Sequence, residues 1–189
     1  MTQNELFDQY IVNLTKWNKK INLVQNDSLH NVFERHVKDS LQTQELLGKD
    51  DYIIDIGSGA GFPGIVLSIC GFSKVTLCEK NFKKCVFLRE VKNKLNLDFN
   101  VYNGDIYKLN VPRETLSKTV AVSRAFGSLL KLLEIMEKLG IERGVFHKGE
   151  NFYSEIEEAN SEFKFDYKQI QSVTNEKSVI LSIDKIRRK

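Results

Sequence analysis

The sequence predicts an α/β fold, in which a mostly parallel sheet follows two N-terminal helices. Three observations support this prediction. Strand-like segments alternate with helical apolar patterns from residue 52 onwards, a glycine-rich turn joins the first strand to a helix, and the last two strands have no clear helix between them. Parallel strands need a crossover connection, usually a helix, so the alternation favours a parallel sheet. The last two strands should form an antiparallel hairpin at the edge of the sheet.

Two amphipathic helices precede the first strand. Residues 5–21 carry an apolar stripe at helical spacing. Asp27 or Ser28 can cap a second helix, whose apolar face covers residues 29–41. His36 lies on that apolar face, so we expect a core or capping histidine rather than a catalyst. Both helices should pack over the sheet as a cap.

The rest of the chain gives the remaining elements in order. We predict strands at residues 52–56, 75–79, 99–102, 119–122, 143–149 (passing into a turn), 163–167 (extending to 170) and 178–183. We predict helices at residues 65–70, 82–95, 128–139 and 153–160. The second of these should bury an apolar stripe that begins at Phe82. The tail at residues 185–189 is basic, and its last three residues, 187–189, should be solvated. A chain of 189 residues can bury one substantial core, so we divide it into a helical extension over residues 1–48 and one compact domain over residues 49–189.

The glycine-rich turn organises the domain. After the first strand the chain reads Gly57-Ser58-Gly59-Ala60-Gly61-Phe62-Pro63-Gly64. Glycines let the backbone turn sharply and approach a ligand closely, because no Cβ intervenes. Pro63 suits the first turn of the following helix, where a missing N–H is harmless. A strand, a turn of this kind and a helix form the unit at which nucleotide-like ligands bind in open α/β sheets.

Two acids indicate which ligand this turn binds. Asp55 lies inside the apolar strand, where a carboxylate would repel a dinucleotide pyrophosphate but could hold a cation, such as the amino group of a methionine moiety. Glu79 ends the next strand, 22 residues after Gly57, at the distance where an acid binds ribose hydroxyls. The pattern predicts the S-adenosylmethionine (SAM) site of a class I methyltransferase and argues against an NAD-dependent oxidoreductase. The alternative is a glycine-rich turn without a ligand, in which a strand-buried Asp would need another partner.

Methyltransferases for different acceptors carry different marks, and several are absent here. Methylation of adenine amino groups usually uses an Asp/Asn-Pro-Pro-aromatic turn, and methylation of cytosine C5 uses a thiolate, commonly in a Pro-Cys pair. The chain has only Pro63 and Pro112, and neither starts such a motif. No lysine-rich tetrad for ribose methylation can be read. An acceptor that is already nucleophilic remains, and guanine N7 fits, because its lone pair carries no proton and catalysis then needs alignment.

The chain resembles the bacterial small-subunit rRNA guanine-N7 methyltransferases of the RsmG (GidB) family. The Gly-x-Gly-x-Gly-Phe-Pro-Gly turn and the tetrad Ser123-Arg124-Ala125-Phe126 carry the resemblance most specifically. Further matching segments are residues 17–23, 35–41, 55–69, 84–97 and 147–149. The resemblance implies a class I seven-stranded fold with an N-terminal helical extension, SAM as the methyl donor, and a guanine in the 530 loop of 16S rRNA in the small ribosomal subunit as the acceptor.

The resemblance also implies site residues. It places Gly57 and Phe62 at the cofactor, Asp105 and Ile106 at the adenine, and Arg124 beside the methionine end or the acceptor. Relatives can carry the acid one residue later than Asp105. Together with the acids and glycines discussed above, the predicted cofactor-binding residues are Asp55, Gly57, Gly59, Phe62, Glu79, Asp105, Ile106 and Arg124. Arg124 follows a strand at its carboxyl end, so we predict that it contributes to catalysis by positioning.

Basic residues near the predicted site suggest contacts with RNA. Lys80, Lys83 and Lys84 lie just past the strand that ends at Glu79, and we predict that they bind RNA, with a solvated helix face as the alternative. Lys148, in a His-Lys-Gly turn, is a further predicted RNA contact. The net charge of +3 is too small to indicate binding of nucleic acid by itself, so this prediction depends on where the basic residues lie.

The sequence also bounds compartment and partners. No run approaches the roughly 18 apolar residues of a membrane span, and the first residues lack the basic and apolar regions of a signal peptide. Cys70, Cys78 and Cys85 form no C-x-x-C pair, so we expect reduced thiols, no metal site and a cytoplasmic protein. We also expect a monomer without membrane contacts. A SAM-dependent methyltransferase for another RNA or a small molecule, and a non-catalytic RNA-binding module, stay open as alternatives.

Overall fold

The computed structural model describes all 189 residues and contains one seven-stranded sheet. Its strands are β1 (Tyr52–Ile56), β2 (Val75–Glu79), β3 (Asn100–Asn103), β4 (Thr119–Arg124), β5 (Arg143–Lys148), β6 (Phe163–Gln171) and β7 (Val179–Arg188). The strand order is β3-β2-β1-β4-β5-β7-β6. The first five strands are parallel, and β7 runs antiparallel to both β5 and β6. The predicted mostly parallel sheet with an antiparallel edge hairpin is confirmed.

Helices cover both faces of the sheet. They are α1 (Gln3–Asn18), α2 (Lys38–Leu41), α3 (Gly64–Ile69), α4 (Phe82–Leu95), α5 (Leu129–Leu139) and α6 (Phe152–Glu162). One apolar cluster joins the sheet to α1, α3 and α4, and a second joins it to α5 and α6. The central strand β1 is buried on both faces and, apart from Asp55, is apolar from Ile53 to Ile56, as expected for a parallel strand covered on both sides. No helix is long and apolar enough to cross a membrane.

The N-terminal extension differs from the prediction in its second half. Helix α1 ends at Asn18, whose side-chain oxygen accepts hydrogen bonds from the N–H groups of Leu23 and Val24. The single helix predicted over residues 29–41 is wrong, because the chain there passes through a 3-10 helix, a π-helix, α2 and another 3-10 helix. Side-chain donors from the sheet bind carbonyl groups in this segment, and tertiary bonds of this kind distort a regular helix.

Two further differences concern the ends of elements. Strand β7 extends to Arg188, beyond the end predicted at residue 183, while residues 187–189 are exposed as predicted; Arg188 forms surface ion pairs with Glu137 and Glu162 at 2.9 and 3.0 Å. Helix α4 buries Phe87 and Val91 of its predicted stripe, whereas Phe82 is 65% exposed and belongs to neither apolar cluster. Phe82 is the first residue of α4, which begins where β2 has already ended, so the apolar stripe extends one turn beyond the core.

Candidate active site

A cleft of ≈ 1190 Å³ opens at the carboxyl ends of β1, β2 and β4. Its floor, the cleft floor below, consists of the glycine turn and of the residues that follow β2 and β3. The opposite wall, the cleft roof below, consists of residues 22–28, Arg35 and His36 of the N-terminal extension, together with Arg124 at the end of β4. Ligands of open α/β sheets bind at this edge. The predicted site residues that line the cleft are Gly57, Gly59, Phe62, Glu79, Asp105, Ile106 and Arg124.

The glycine turn needs glycine for conformation and for space. Gly57 and Gly59 have φ angles of +70° and +55°, in the left-handed region that disfavours side chains. A Cβ on Gly57 would lie 2.1 Å from Cδ2 of Phe126, which packs directly against the turn. The N–H groups of Gly57 and Ser58 both bind the Cys78 carbonyl at 3.0 Å, so the turn is fixed to the end of β2.

Glu79 links the turn to the next helix. Its Oε2 accepts a hydrogen bond from the Gly59 N–H at 3.1 Å, and its Oε1 accepts one from the Asn81 N–H at 2.7 Å. A carboxylate can accept about four hydrogen bonds, so each oxygen keeps capacity for a ribose hydroxyl. The loop after β3 contributes Ile106 as an apolar wall of the cleft. In the same loop, the Asp105 side chain accepts a hydrogen bond from the Tyr107 N–H at 3.1 Å.

Asp55 does not line the cleft, which corrects the direct cofactor contact predicted for it. Its side chain is fully buried, and Oδ2 accepts a hydrogen bond from the Gly64 N–H at 3.1 Å, whereas Oδ1 has no partner. Burial raises the pKa of Asp55 to about 8, although the Gly64 N–H opposes the shift. Asp55 therefore holds the start of α3 behind the turn.

Arg124 connects the sheet to the N-terminal extension. Its guanidinium donates to the carbonyl oxygens of Arg35 and His36 at 2.9 and 3.2 Å, and Nε lies 3.4 Å from Oδ2 of Asp39. The guanidinium carbon lies 5.7 Å from the centre of the Phe62 ring. A guanidinium has five N–H groups, so these contacts leave donors for a ligand in the cleft. Arg124 is the last residue of β4, at the carboxyl edge of the sheet as predicted, but its contact with the Phe62 ring places it beside the glycine turn and not opposite it.

Comparison with known proteins identifies the family of this site. Residues 3–183 match the family described as GidB, rRNA small subunit methyltransferase G. The chain belongs to this family. The ribosomal RNA small subunit methyltransferases G of Rickettsia felis and Rickettsia akari are 38% and 36% identical to it over 184 residues, which cover 96% of this chain and 92% of each relative. The predicted family and the predicted class of enzyme, a SAM-dependent rRNA methyltransferase, are confirmed.

Solved structures show the same fold at low sequence identity. A SAM-dependent methyltransferase from Aquifex aeolicus matches with a TM-score of 0.61 at 15% identity, and the match covers 93% of this chain and 98% of that one. M. jannaschii TYW2 in complex with AdoMet matches with a TM-score of 0.55 at 15% identity, covering 82% of this chain and 76% of that one. These matches confirm the predicted class I methyltransferase fold, and SAM is the cofactor of the GidB family.

A buried polar network behind Arg124 was missed by the sequence analysis. Oδ2 of Asp39 lies 3.1 Å from Nδ1 of His147, and Oδ1 accepts a hydrogen bond from the Ser172 hydroxyl at 2.7 Å. Burial alone would raise the pKa of Asp39, but the hydrogen bonds from His147 and Ser172, together with the nearby charges, outweigh it and lower the pKa to about 2. Because Asp39 is then an acceptor only, Nδ1 of His147 donates to it and Nε2 faces the Thr43 hydroxyl at 2.8 Å. The only signal in the sequence was the match of residues 35–41 and 147–149 to the GidB family.

His36 lies in the cleft wall of this GidB member and is half-buried, so of the two positions expected for it, in the core or in the cap, the structure shows the second. Its ring packs on Phe62 with 5.1 Å between the ring centres, and Nε2 is buried without a hydrogen-bond partner. Burial and the charges of Arg124 and Arg35 lower the pKa of His36 to about 4. The imidazole is therefore neutral at pH 7 and offers a flat surface to the cleft.

The predicted RNA-binding lysines divide into two groups. Lys80 and Lys84 line the cleft and Lys83 is exposed beside them, and none of the three forms a salt bridge. The RNA contact predicted for Lys148 is wrong, because its ammonium is buried and lies 2.6 Å from both the Gly127 carbonyl and Oε2 of Glu155. A buried ion pair of this kind holds α6 against β5, and its charge is not available to RNA.

Proposed function

We propose that this enzyme transfers the methyl group of SAM to N7 of a guanine in the 530 loop of 16S rRNA, by positioning and without a general base. One observation carries the proposal: the cleft joins a SAM-type floor to an arginine-bearing roof whose only histidine is a poor base. The only histidine in the wall is His36, whose pKa of about 4 and shielded Nε2 make it a poor base. Guanine N7 has a free lone pair, so its methylation needs no base.

The residues of the floor fit SAM. Glu79 keeps capacity to accept bonds from the ribose hydroxyls, and Ile106 offers an apolar wall to the adenine. The donors that Arg124 retains suit the carboxylate of the methionine end. SAM supplies a methyl group activated by a sulfonium. Alignment of N7 with this methyl group lowers the entropic cost of the reaction, and Phe62, His36 and Arg124 provide flat and charged surfaces for it where the glycine turn meets the cleft roof.

The transfer is balanced without proton movement. The N7 lone pair forms the bond to the methyl carbon, the bond between carbon and sulfur breaks, and the positive charge passes from sulfur to the guanine. No residue of the cleft has to remove or supply a proton, and the chain's own residues hold the two reactants in line. We also propose that the enzyme acts as a monomer in the cytoplasm, with its substrate in the small ribosomal subunit.

Methyl transfer from labelled SAM to small ribosomal subunits tests the proposal. We expect one labelled guanine per 16S rRNA, located in the 530 loop, and cleavage of the RNA at that base after borohydride and aniline treatment, which detects N7 methylation. We also expect kcat to be flat between about pH 6 and 8, because no catalytic base titrates. Label on another base or atom would contradict the acceptor, and a rising limb in the pH profile would contradict the mechanism.

A further inference from the structure

Phe82 is an exposed residue without an aromatic partner, and it lies in the chain between Lys80 and Lys84, which line the cleft. Helical spacing puts it three residues before the buried Cys85, yet its exposure is 65%. Three of the four other exposed aromatic residues pack on an aromatic neighbour: Phe33 on Phe7, Tyr153 on Phe152 and Tyr167 on Phe165, with 6.0, 3.9 and 6.2 Å between ring centres. The fourth, Tyr107, has no aromatic neighbour either, but it is less exposed than Phe82, at 40%. Phe82 has no such neighbour and belongs to neither apolar cluster. Its apolar surface is thus free to meet a ligand.

The backbone that carries Phe82 is fixed to the cleft floor. Glu79 accepts a hydrogen bond from the Asn81 N–H at 2.7 Å, and the Asn81 side chain caps α4 by accepting from the N–H groups of Lys83 and Lys84 at 3.0 and 3.2 Å. The Asn103 side chain donates to the Lys80 carbonyl at 3.2 Å. The backbone at Phe82 is therefore held three residues from the acid proposed to bind the SAM ribose, so a ligand that packs on the ring does not have to order the backbone that carries it.

The charges around Phe82 select the kind of ligand. Lys80, Lys83 and Lys84 surround it in sequence, and all three ammonium groups lack an acidic partner. Lysine is depleted in the buried parts of protein interfaces, so a protein partner is a poor match for this surface. Single-stranded RNA is a good match, because its bases stack on exposed aromatic rings while lysines bind its phosphates.

We propose that Phe82 is a stacking platform for one unpaired base of the rRNA, next to the guanine that enters the cleft, with Lys80, Lys83 and Lys84 on the flanking phosphates. The proposal rests on the proposed function and deepens it, since it assigns a residue that recognises the single-stranded character of the substrate. Stacking accepts any base, so Phe82 contributes affinity and register, and the target is chosen elsewhere.

A set of variants with matched controls tests the proposal. Phe82→Ala removes the ring, Phe82→Leu keeps apolar bulk without a flat face, Phe82→Trp supplies a larger face, and Tyr153→Ala removes an exposed ring distant in sequence from the lysines. Each is measured for Kd toward protein-free 16S rRNA and toward small subunits, for KM in methyl transfer, and for SAM affinity by calorimetry. We expect roughly tenfold weaker RNA binding for the Ala and Leu variants, and wild-type or tighter binding for the Trp variant.

SAM affinity should stay at the wild-type value in all four variants, and Tyr153→Ala should match the wild type throughout. The slope of log Kd against log salt should stay unchanged in Phe82→Ala, whereas Lys83→Ala should reduce it by about 0.7, because only the lysine releases counterions.

Three results would overturn the stacking role. If Phe82→Ala binds RNA with wild-type affinity, the ring does not contact RNA. If Phe82→Leu keeps full activity, the residue makes an apolar contact with RNA but does not stack on a base. A loss confined to small subunits and absent with free rRNA would indicate a ribosomal protein as the partner. If the wild type itself transfers no methyl group to guanine N7, the proposed function fails, while the binding measurements with free rRNA still decide the role of Phe82.

Discussion

One buried aspartate lies behind the floor of the cleft and another behind its roof, and their surroundings shift the two pKa values in opposite directions. Asp55, behind the floor, receives one hydrogen bond from a backbone N–H and keeps one oxygen unpaired, so burial raises its pKa to about 8. Asp39, behind the roof, receives hydrogen bonds from His147 and Ser172 and lies beside Arg124. These partners outweigh burial and lower its pKa to about 2. One acid is therefore neutral at pH 7 and the other is charged.

This difference shows how each wall keeps its shape. The floor is made from neighbouring strand ends and backbone hydrogen bonds, so a neutral carboxyl group behind it is sufficient. The roof brings together chain segments that lie 88 to 133 residues apart, namely the N-terminal extension, β4, β5 and the turn after β6. Charged groups hold these segments, because the extension shares no strand hydrogen bonds with the sheet. The floor should thus respond to steric changes and the roof to changes of charge.

Loss of the roof charge should have the greatest consequence. Asp39→Asn leaves Arg124 and His147 without a buried anion, and breaking a buried pair costs about 3 kcal/mol of unfolding free energy. Since Arg124 also faces the cleft, we expect kcat to fall about tenfold as well. Chemical denaturation and methyl-transfer assays measure the two effects.

Asp51→Asn is the matched control for this variant. Asp51 is also buried and pairs with Arg143 at 3.0 Å, but it precedes β1 at the opposite edge of the sheet. It should lose stability while keeping wild-type kcat. Equal kcat in the two variants would mean that the roof network supports only the fold.

A steric change should damage the floor. Gly57→Ala places a Cβ 2.1 Å from the Phe126 ring at a φ of +70°, so the ring must move into the cleft. We expect SAM affinity to fall by about a hundredfold, or about 2.7 kcal/mol, measured by calorimetry. Gly71→Ala is the control, because Gly71 has a φ of +93° and no atom within 4 Å of the added Cβ. Similar losses in both variants would assign the effect to backbone strain and not to the collision.

These two walls also explain what could be predicted from the sequence. The floor consists of short segments in which a strand, a turn and an acid follow each other, so the glycine turn and Glu79 could be found by spacing. The roof could not be found this way, because the partners of Asp39 come from positions 124, 147 and 172. Contacts between such distant positions leave no local pattern in the sequence.

Helical periodicity and residue type misled in three further places. The apolar stripe of α4 predicted a buried Phe82, but periodicity does not tell where the sheet beneath a helix ends. The positive charge of Lys148 suggested a contact with RNA, whereas Lys148 is buried and forms an ion pair with Glu155 of the next helix. The position of Asp55 next to the glycine turn suggested a direct contact with the cofactor, whereas its carboxyl group accepts a hydrogen bond from the Gly64 N–H.

Arg124→Lys should reduce turnover with less loss of stability than Asp39→Asn. An ammonium keeps the charge beside Asp39 but cannot also bind the Arg35 and His36 carbonyls and a ligand in the flat geometry of a guanidinium. We expect kcat to fall about tenfold, or about 1.4 kcal/mol, with an unchanged pH profile. Arg143→Lys, which alters the arginine paired with Asp51, should keep wild-type kcat. A lost limb in the pH profile would instead mean that Arg124 organises a titrating base.

The mildest change concerns the neutral acid of the floor and appears as a pH dependence. The pKa of Asp55 is about 8 in the folded protein and about 3.9 in an unfolded chain, so between these values the folded state holds one more proton. Unfolding free energy should therefore fall as pH rises, by up to about 1.4 kcal/mol per pH unit, approaching that slope at pH 6.5 and flattening near pH 8. Asp55→Asn resembles the protonated acid and removes this dependence. The other titrating groups cancel in the difference between the two proteins. Urea denaturation of both at pH 7, 7.5 and 8 measures that difference, and we expect the variant to gain stability relative to the wild type by about 1 kcal/mol over this range. A constant difference would show that Asp55 is already ionised at pH 7, and that the two buried aspartates are in the same protonation state.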